Sequence, residues 1–238
     1  MSCIKKHLSD VLKADIAQIQ PSSEGAVATQ AVRRLHDVAD HFPDFLCLLA
    51  EPWLAEPVPA TTHALLADCA RVHLYARILD DAIDENLPVH RQNLLRAQPV
   101  LWQACCGLAT YHPALTAETT ALISETVNAV QHDDAQRQTQ HWGQKNHHLL
   151  LAPLVLSGNS LAYQTCRAGL STLITLVQAG DEWRQGVLDT HHVRYDFLTC
   201  LPVFLEAQPL ANLVQHGWLG AAERIVWESR QLVTVLQS

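Results

Sequence analysis

Four carboxylates lie within six residues near position 80. They form an acidic cluster, the run Asp80-Asp81-Ala82-Ile83-Asp84-Glu85. On a helix of about 3.6 residues per turn, residues three or four apart are neighbours, so Asp80, Asp81 and Asp84 bring several oxygens to one small volume. Carboxylates this close repel one another, and burying them unpaired is costly or forces protonation. We therefore expect a cation between them.

A second cluster, the run Asp181-Glu182-Trp183-Arg184-Gln185-Gly186-Val187-Leu188-Asp189, lies later in the chain. Asp181, Gln185 and Asp189 stand at positions i, i+4 and i+8, which places their oxygens along one helix face. Oxygen ligands without a nearby Cys or His set favour a hard cation, and Mg²⁺ ordinarily takes a few carboxylates together with water and phosphate oxygens. The clusters therefore predict Mg²⁺ as the cofactor and an anionic substrate, most simply a diphosphate.

The elements that carry both clusters are predicted to be helices. Hydrophobic periodicity near 3.6 residues recurs along the chain, whereas alternating strand patterns and hairpin dipeptides such as Asn-Gly are missing. The predicted fold class is all-α, with a single domain over residues 1–238. We expect helices at 2–19, 25–41, 62–86, 91–110, 115–138, 140–157, 159–190, 195–206 and 218–236.

The helix predicted at 62–86 has a polar stripe in its otherwise apolar sequence. His73, Arg77, Asp81 and Asp84 follow one another in steps of four, four and three. An ordinary solvated face would look the same, since runs of charge usually face water. The acids, however, crowd at the helix C-terminus, where the helix dipole disfavours negative charge. That placement favours a bound cation over a merely wet face.

Composition excludes several classes of protein. The 238 residues are 48% hydrophobic and have 24 acids against 16 bases, a net charge of −8. No run of Lys and Arg is present, so nucleic acid is not an expected partner. The seven cysteines are odd in number and form no C-x-x-C pair, which predicts reduced thiols and a cytoplasmic location. No signal peptide or apolar run long enough for a membrane span is apparent, so membrane insertion is not expected.

At the two clusters the chain resembles the superfamily of class I terpenoid synthases and trans-prenyltransferases. Asp80-Asp81-x-x-Asp84 has the form of the first motif, D-D-x-x-D, and Asp181, Gln185 and Asp189 have the spacing of the second metal motif of the cyclases. The second run also resembles the D-D-W-x-x-x-x-x-D form of some bacterial prenyl-synthase-like proteins. The likeness covers roughly residues 60–200. It departs from the pattern at Glu182, Gln185 and Asp189.

The resemblance implies a fold and an activity. The fold would be the helical bundle of the isoprenoid synthases, with a central apolar cavity, N-terminal helices in residues 1–60 and a metal-binding core in 61–200. The activity would be Mg²⁺-dependent ionisation of an allylic prenyl diphosphate, followed by cyclisation or condensation of the carbocation. A homodimer is compatible with the long apolar helices.

The resemblance also implies roles for particular residues. Metal ligands would be Asp80, Asp81, Asp84, Asp181, Gln185 and Asp189, and the five aspartates among them would be the catalytic residues. Cationic side chains that clamp the departing diphosphate would be Arg77, Arg137, Lys145 and Arg184.

Two other classes of protein are alternatives. The chain could be a non-catalytic helical scaffold or partner subunit that kept the fold after its second metal site decayed, and Gln185 favours that interpretation. A carboxylate-bridged di-iron bundle would need a Glu-x-x-His motif on each of two helices, and the sequence has no such pair.

Overall fold

The computed structural model describes residues 2–19, 26–84, 87–136, 143–184 and 207–237. Within these ranges all regular secondary structure is helical and no strand occurs, so the predicted all-α class is confirmed. The α-helices are α1 (Ser2–Ile19), α2 (Ala26–Leu49), α3 (Ala60–Asp84), α4 (Pro88–Tyr111), α5 (Thr116–Gln136), α6 (Leu151–Ser157), α7 (Leu161–Arg184), α8 (Ala207–Gln215) and α9 (Leu219–Gln237). Short 3₁₀ helices span Glu51–Trp53, Pro113–Leu115 and His147–Leu150.

The chain divides into two compact units, residues 1–120 and residues 121–238, with the boundary inside α5. In the first unit α3 packs along α4, and α1 packs against α2 and α3. In the second unit α7 packs against both α8 and α9. Each unit has its own buried apolar side chains. The prediction of a single domain over residues 1–238 stays a prediction.

Helix α3 positions the first acidic cluster through its apolar stripe. Leu66, Ala70, Leu74 and Ile78 recur in steps of four and are all buried, as expected for one face of a helix against a core. Asp81 lies three positions after Ile78 and therefore on the same face of the helix. The periodicity that buries the stripe therefore also turns the Asp81 side chain inward.

Helix α7 begins after a sharp break in the backbone. Gly158 ends α6 in the left-handed region, with φ of 62°, and Asn159 follows with φ of 57°. Their amide groups both donate to the carbonyl of Leu154, which satisfies the end of α6. The chain then enters α7, whose Leu170, Leu173 and Ile174 are buried.

The helix boundaries differ from the predicted ones at three places. The helix predicted at 25–41 continues through Pro43 to Leu49. The segment predicted as one helix over 140–157 instead has a 3₁₀ helix at His147–Leu150, followed by α6. Helix α8 was not predicted, because Pro209 resembled a helix end. Pro209 is instead the third residue of α8. The N–H groups of the first turn have no acceptor within the helix, so a proline at this position costs no helical hydrogen bond.

The helix predicted at 195–206 lies outside the described residues. Among the helices that the structure does describe, none combines the length and apolar character needed to cross a membrane.

Candidate functional site

Asp80 and Asp81 share one cation, the guanidinium group of Arg77. Arg77 Nη1 lies 3.0 Å from Asp80 Oδ2, and Arg77 Nη2 donates a hydrogen bond to Asp81 Oδ1 at 3.0 Å. All three residues are on α3, at spacings of three and four, so the helix itself brings the charges together. The expected cation between the two carboxylates is therefore present as a side chain of the same helix.

A second arginine approaches the same cluster from α2. Arg34 Nη1 lies 3.4 Å from Asp81 Oδ1, and the Asp81 side chain is only 4% exposed. A buried carboxylate is costly unless it is paired, and here two guanidinium groups compensate it. Sequence reasoning missed Arg34, because it lies far from the cluster along the chain.

The electrostatics of the first cluster favour a charged Arg77. Burial of the guanidinium group opposes its charged form, but the negative charges of Asp80, Asp81 and Asp84 outweigh burial and raise the pKa of Arg77. Asp84 acts here from an exposed position at the end of α3. Of the three predicted ligands in this cluster, Asp81 is buried, Asp80 is half-buried and Asp84 faces solvent.

In the second cluster the buried carboxylate is Glu182, which was not predicted as a ligand. Lys145 Nζ lies 3.0 Å from Glu182 Oε1, and the two side chains are 10% and 12% exposed. Gln178 Nε2 donates to the same oxygen at 2.7 Å. Asn146 Nδ2 in turn donates to Gln178 Oε1 at 2.8 Å. These four residues, the Glu182 network, join the turn before the 3₁₀ helix His147–Leu150 to the last turns of α7.

Asp181, the predicted ligand next to Glu182, lies on the solvent side of α7. Its carboxylate pairs with Arg184, and the two side chains are 46% and 62% exposed. Arg184 was predicted to bind diphosphate and is instead the partner of a neighbouring surface acid. The inward position of Glu182 could have been predicted from the sequence. Thr175, Ala179 and Glu182 are four and three residues apart, which is the spacing of one face of a helix, and all three are buried.

A second buried acid, Glu228, lies on α9. Glu228 accepts hydrogen bonds from Arg224 Nε at 2.7 Å, and its other carboxylate oxygen faces Gly180 of α7. The Arg224 guanidinium also lies over the Trp227 ring, 4.7 Å from its centre. Sequence reasoning missed Glu228, although an opposite charge four residues before it is a typical sign of helical pairing.

The predicted metal ligands are only partly assembled in the part of the chain that the structure describes. No three His, Cys, Asp or Glu side chains there form a group able to hold a metal ion by themselves. Mg²⁺, however, is commonly bound through one or two carboxylates, with water and substrate phosphate oxygens completing its shell. Asp80 and Asp81 contact one guanidinium group through its two terminal nitrogens, and Mg²⁺ binding at this pair stays a prediction.

Arg137, Gln185 and Asp189 lie outside the described residues. Asp81 belongs to the first unit, and Asp181 belongs to the second. The expected meeting of the two clusters at one set of ions stays a prediction.

An apolar groove lies between α8 and α9. It has a volume of about 800 Å³ and is lined mainly by Leu210, Val214, Ala222, Val226 and Trp227, with Arg230 alongside. None of its lining residues belongs to either acidic cluster. The groove is therefore a separate feature of the second unit.

The chain matches no protein-family model, no curated protein and no solved structure.

Proposed function

We propose that the protein is a Mg²⁺-dependent enzyme of the class I terpenoid synthase type, with the isoprenoid synthase fold. Its substrate is an allylic prenyl diphosphate, and its reaction breaks the bond between carbon and the diphosphate oxygen. The diphosphate leaves, and the carbocation is cyclised or joined to a second molecule. The proposal rests on the D-D-x-x-D resemblance together with the geometry of Asp80 and Asp81.

The observation that carries the proposal is the shared cation at the first cluster. A single guanidinium group contacts one oxygen of Asp80 and one oxygen of Asp81, each at 3.0 Å. Two carboxylates that reach the same cation offer the oxygen donors that Mg²⁺ prefers. They are also the first two positions of the motif that the resemblance identifies.

The roles of the residues follow from their charges. Asp80, Asp81 and Asp84 would hold Mg²⁺ at the first cluster, and Asp181, Gln185 and Asp189 at the second. The metal supplies Lewis-acid neutralisation of the leaving diphosphate. Arg77, Arg137 and Lys145 bind its oxygens, because charge-assisted hydrogen bonds strengthen as negative charge develops.

The alternative function, a non-catalytic helical scaffold, is favoured by the ion pairs that the buried acids already make. Buried acids in both units already have internal cations, since Arg77 and Arg34 pair with Asp81 and Lys145 pairs with Glu182. A protein that neutralises its own carboxylates needs no metal to fold. The two functions differ in whether any metal-dependent chemistry occurs.

Release of diphosphate separates the two functions. The protein should be incubated with geranyl, farnesyl or geranylgeranyl diphosphate, with Mg²⁺ or with EDTA, and the released pyrophosphate should be measured. We expect release from at least one substrate that depends on Mg²⁺. Asp81→Asn should slow it by about 100-fold or more, because a metal ligand and its charge stabilisation are lost.

A matched control removes one acid elsewhere. Glu118 is an exposed residue in the first turn of α5, so Glu118→Gln should leave the rate of release unchanged. Absence of metal-dependent release from all three substrates would instead support the scaffold.

A further inference from the structure

We propose that the apolar groove between α8 and α9 is an interface for a second copy of this chain. The two copies pair their α9 helices in antiparallel directions, about a twofold axis that passes between Val226 and Trp227. The Trp227 side chain of each copy enters the groove of the other. This interface is independent of the proposed activity, because none of the lining residues of the groove belongs to either acidic cluster.

The first argument is the exposure of apolar side chains at the groove. Val214 of α8 and Trp227 of α9 both line it, and they are 50% and 49% exposed. Leu219, at the start of α9, is 52% exposed. Apolar side chains gathered in one patch, with polar residues at its edge, are typical of a surface that binds another protein. The groove therefore has the character of a surface that a partner covers.

The second argument is that the charges beside the groove are self-complementary. Glu223 and Arg230 both line it, and they lie seven residues apart on the exposed side of α9. Because they are equally far from the point between Val226 and Trp227, an antiparallel pair of α9 helices brings Glu223 of each copy opposite Arg230 of the other. A parallel pair would instead place like charges opposite each other.

The same two charges lack partners within one copy. In the part of the chain that the structure describes, neither Glu223 nor Arg230 forms an ion pair with another side chain. A second copy supplies a partner for each of them, and the twofold symmetry supplies it twice. Charge complementarity of this kind fixes the direction in which two helices pair.

The third argument is that the match continues towards both ends of α9. Gly220 and Val233 are also equally far from the centre, and both are partly exposed. Glycine has no side chain, so the backbone at Gly220 leaves space for the branched side chain of Val233 from the other copy. The exposed face of α9 therefore matches itself over about four turns of helix.

The fourth argument is that Trp227 is already held in place before a partner docks. Arg224 Nε donates to Glu228 at 2.7 Å, and the Arg224 guanidinium lies 4.7 Å from the centre of the Trp227 ring. A side chain that is ordered before binding loses less conformational entropy on association. Buried tryptophans are also among the side chains that contribute most to binding. With a volume of about 800 Å³, the groove is larger than one indole group.

Sedimentation equilibrium over a range of protein concentrations tests the interface. For the wild type we expect a reversible equilibrium between monomer and dimer. Trp227→Ser should weaken the dimer by about 30-fold or more, because each copy loses the side chain that fills the groove of the other. Trp102→Ser is the matched control. Trp102 is 69% exposed on α4 and does not line the groove, so this change should leave the dimer as it is.

Charge reversal tests the antiparallel arrangement. In Glu223→Arg and in Arg230→Glu, a dimer would contain two pairs of like charges, so each variant by itself should dimerise about tenfold more weakly. An equal mixture of the two variants should recover the affinity of the wild type, because both facing pairs then have opposite charges. Mixing cannot repair damage to the fold of either variant, so recovery has no merely structural explanation.

A wild type that stays monomeric at every concentration overturns the interface and leaves the groove to a smaller apolar ligand or to a different protein. A dimer that survives Trp227→Ser, or that Trp102→Ser dissociates, forms on another face and overturns it as well. If the mixture of charge variants stays monomeric, the antiparallel pairing is overturned. The release of diphosphate decides the proposed function alone and leaves these outcomes unaffected.

Discussion

Two neighbouring acids of α7 have opposite environments. Glu182 is buried with Lys145, whereas Asp181 is exposed with Arg184. Successive residues of a helix point about 100° apart, so one step along the chain moves a side chain from solvent into the core. Burial also changes what an ion pair contributes, because exposed pairs are weak and a buried charge needs its partner.

Glu182→Gln should destabilise the protein far more than Asp181→Asn. Glutamine keeps the shape of the side chain but leaves the buried Lys145 ammonium without its countercharge, and we expect the free energy of unfolding to fall by about 2–4 kcal/mol. For Asp181→Asn we expect a change within about 0.5 kcal/mol, since its pair is exposed to solvent. Urea unfolding at pH 7.5 measures both.

The double variant Lys145→Met with Glu182→Gln supplies the control. It removes both charges, so part of the stability lost in Glu182→Gln should return. Equal losses for Glu182→Gln and Asp181→Asn would show that burial does not distinguish the two pairs.

At the scale of elements, a buried triad of charges fixes α3 in its unit. Arg71 of α3 bonds to Asp15 of α1 through Nε at 2.9 Å and to Asp68 through Nη1 at 2.9 Å. Burial raises the pKa of Asp68, against the opposing effect of Arg71. The Arg71–Asp15 ion pair joins α3 to α1, beside the apolar stripe that turns Asp81 inward.

Helix α4 comes close to this triad at a glycine. A Cβ atom added at Gly107 would lie 2.1 Å from Asp68 Oδ2, which is closer than any real contact. Gly107→Ala should therefore push Asp68 off Arg71 and lower the free energy of unfolding by about 1–3 kcal/mol, as overpacked cores do. Thermal and urea unfolding measure the loss.

Gly180 of α7 is the matched control for Gly107. A Cβ atom there would lie 3.6 Å from Glu228 Oε2, an ordinary contact. Gly180→Ala should be neutral or should stabilise the protein by up to about 1 kcal/mol, because alanine is the better helix former. If Gly107→Ala were equally neutral, the close approach of α4 to Asp68 would not restrict the fold.

At the scale of the whole molecule, a buried histidine should make folding sensitive to acid. Burial lowers the pKa of His148 to about 3. Its backbone N–H group donates to Thr126 Oγ1 at 2.9 Å, and its Nδ1 atom lies 3.4 Å from the same hydroxyl. Unfolding returns the imidazole to its ordinary pKa of about 6.5. Below that pH the unfolded chain binds a proton that the folded chain does not, so stability falls as the pH falls.

The free energy of unfolding should accordingly drop between pH 7.5 and pH 5.0, and His148 should account for about 2 kcal/mol of that drop. In His148→Gln the drop in the free energy of unfolding should be smaller by this amount. Urea unfolding at pH 7.5 and pH 5.0 measures the drop in both proteins. Thr126→Ser keeps the hydroxyl group beside His148 and should retain the dependence of the wild type. An unchanged dependence in His148→Gln would mean that this histidine is not protonated on unfolding in that range.

Most of the helices could be predicted from the sequence. Apolar periodicity is local, so it predicted α1 with the bounds that the structure has, and it predicted α3, α4 and α7 to within a few residues at each described end. It also identified Asp80, Asp81 and Asp84 as a motif, since spacing within one helix is legible in the chain. Helix α8 was not predicted, because a proline in the first turn of a helix cannot be distinguished in the sequence from a proline that follows the end of a helix.

Which charges form pairs depends on how the helices pack together. It buried Asp81 with Arg34, 47 positions away in the chain, and Glu182 with Lys145, 37 positions away. It also left Asp84 and Asp181 facing solvent, although their residue type and spacing resemble those of the buried acids. The physical reason is that burial and ion pairing depend on which helices pack together and at what rotation. A pattern within one helix does not contain that information.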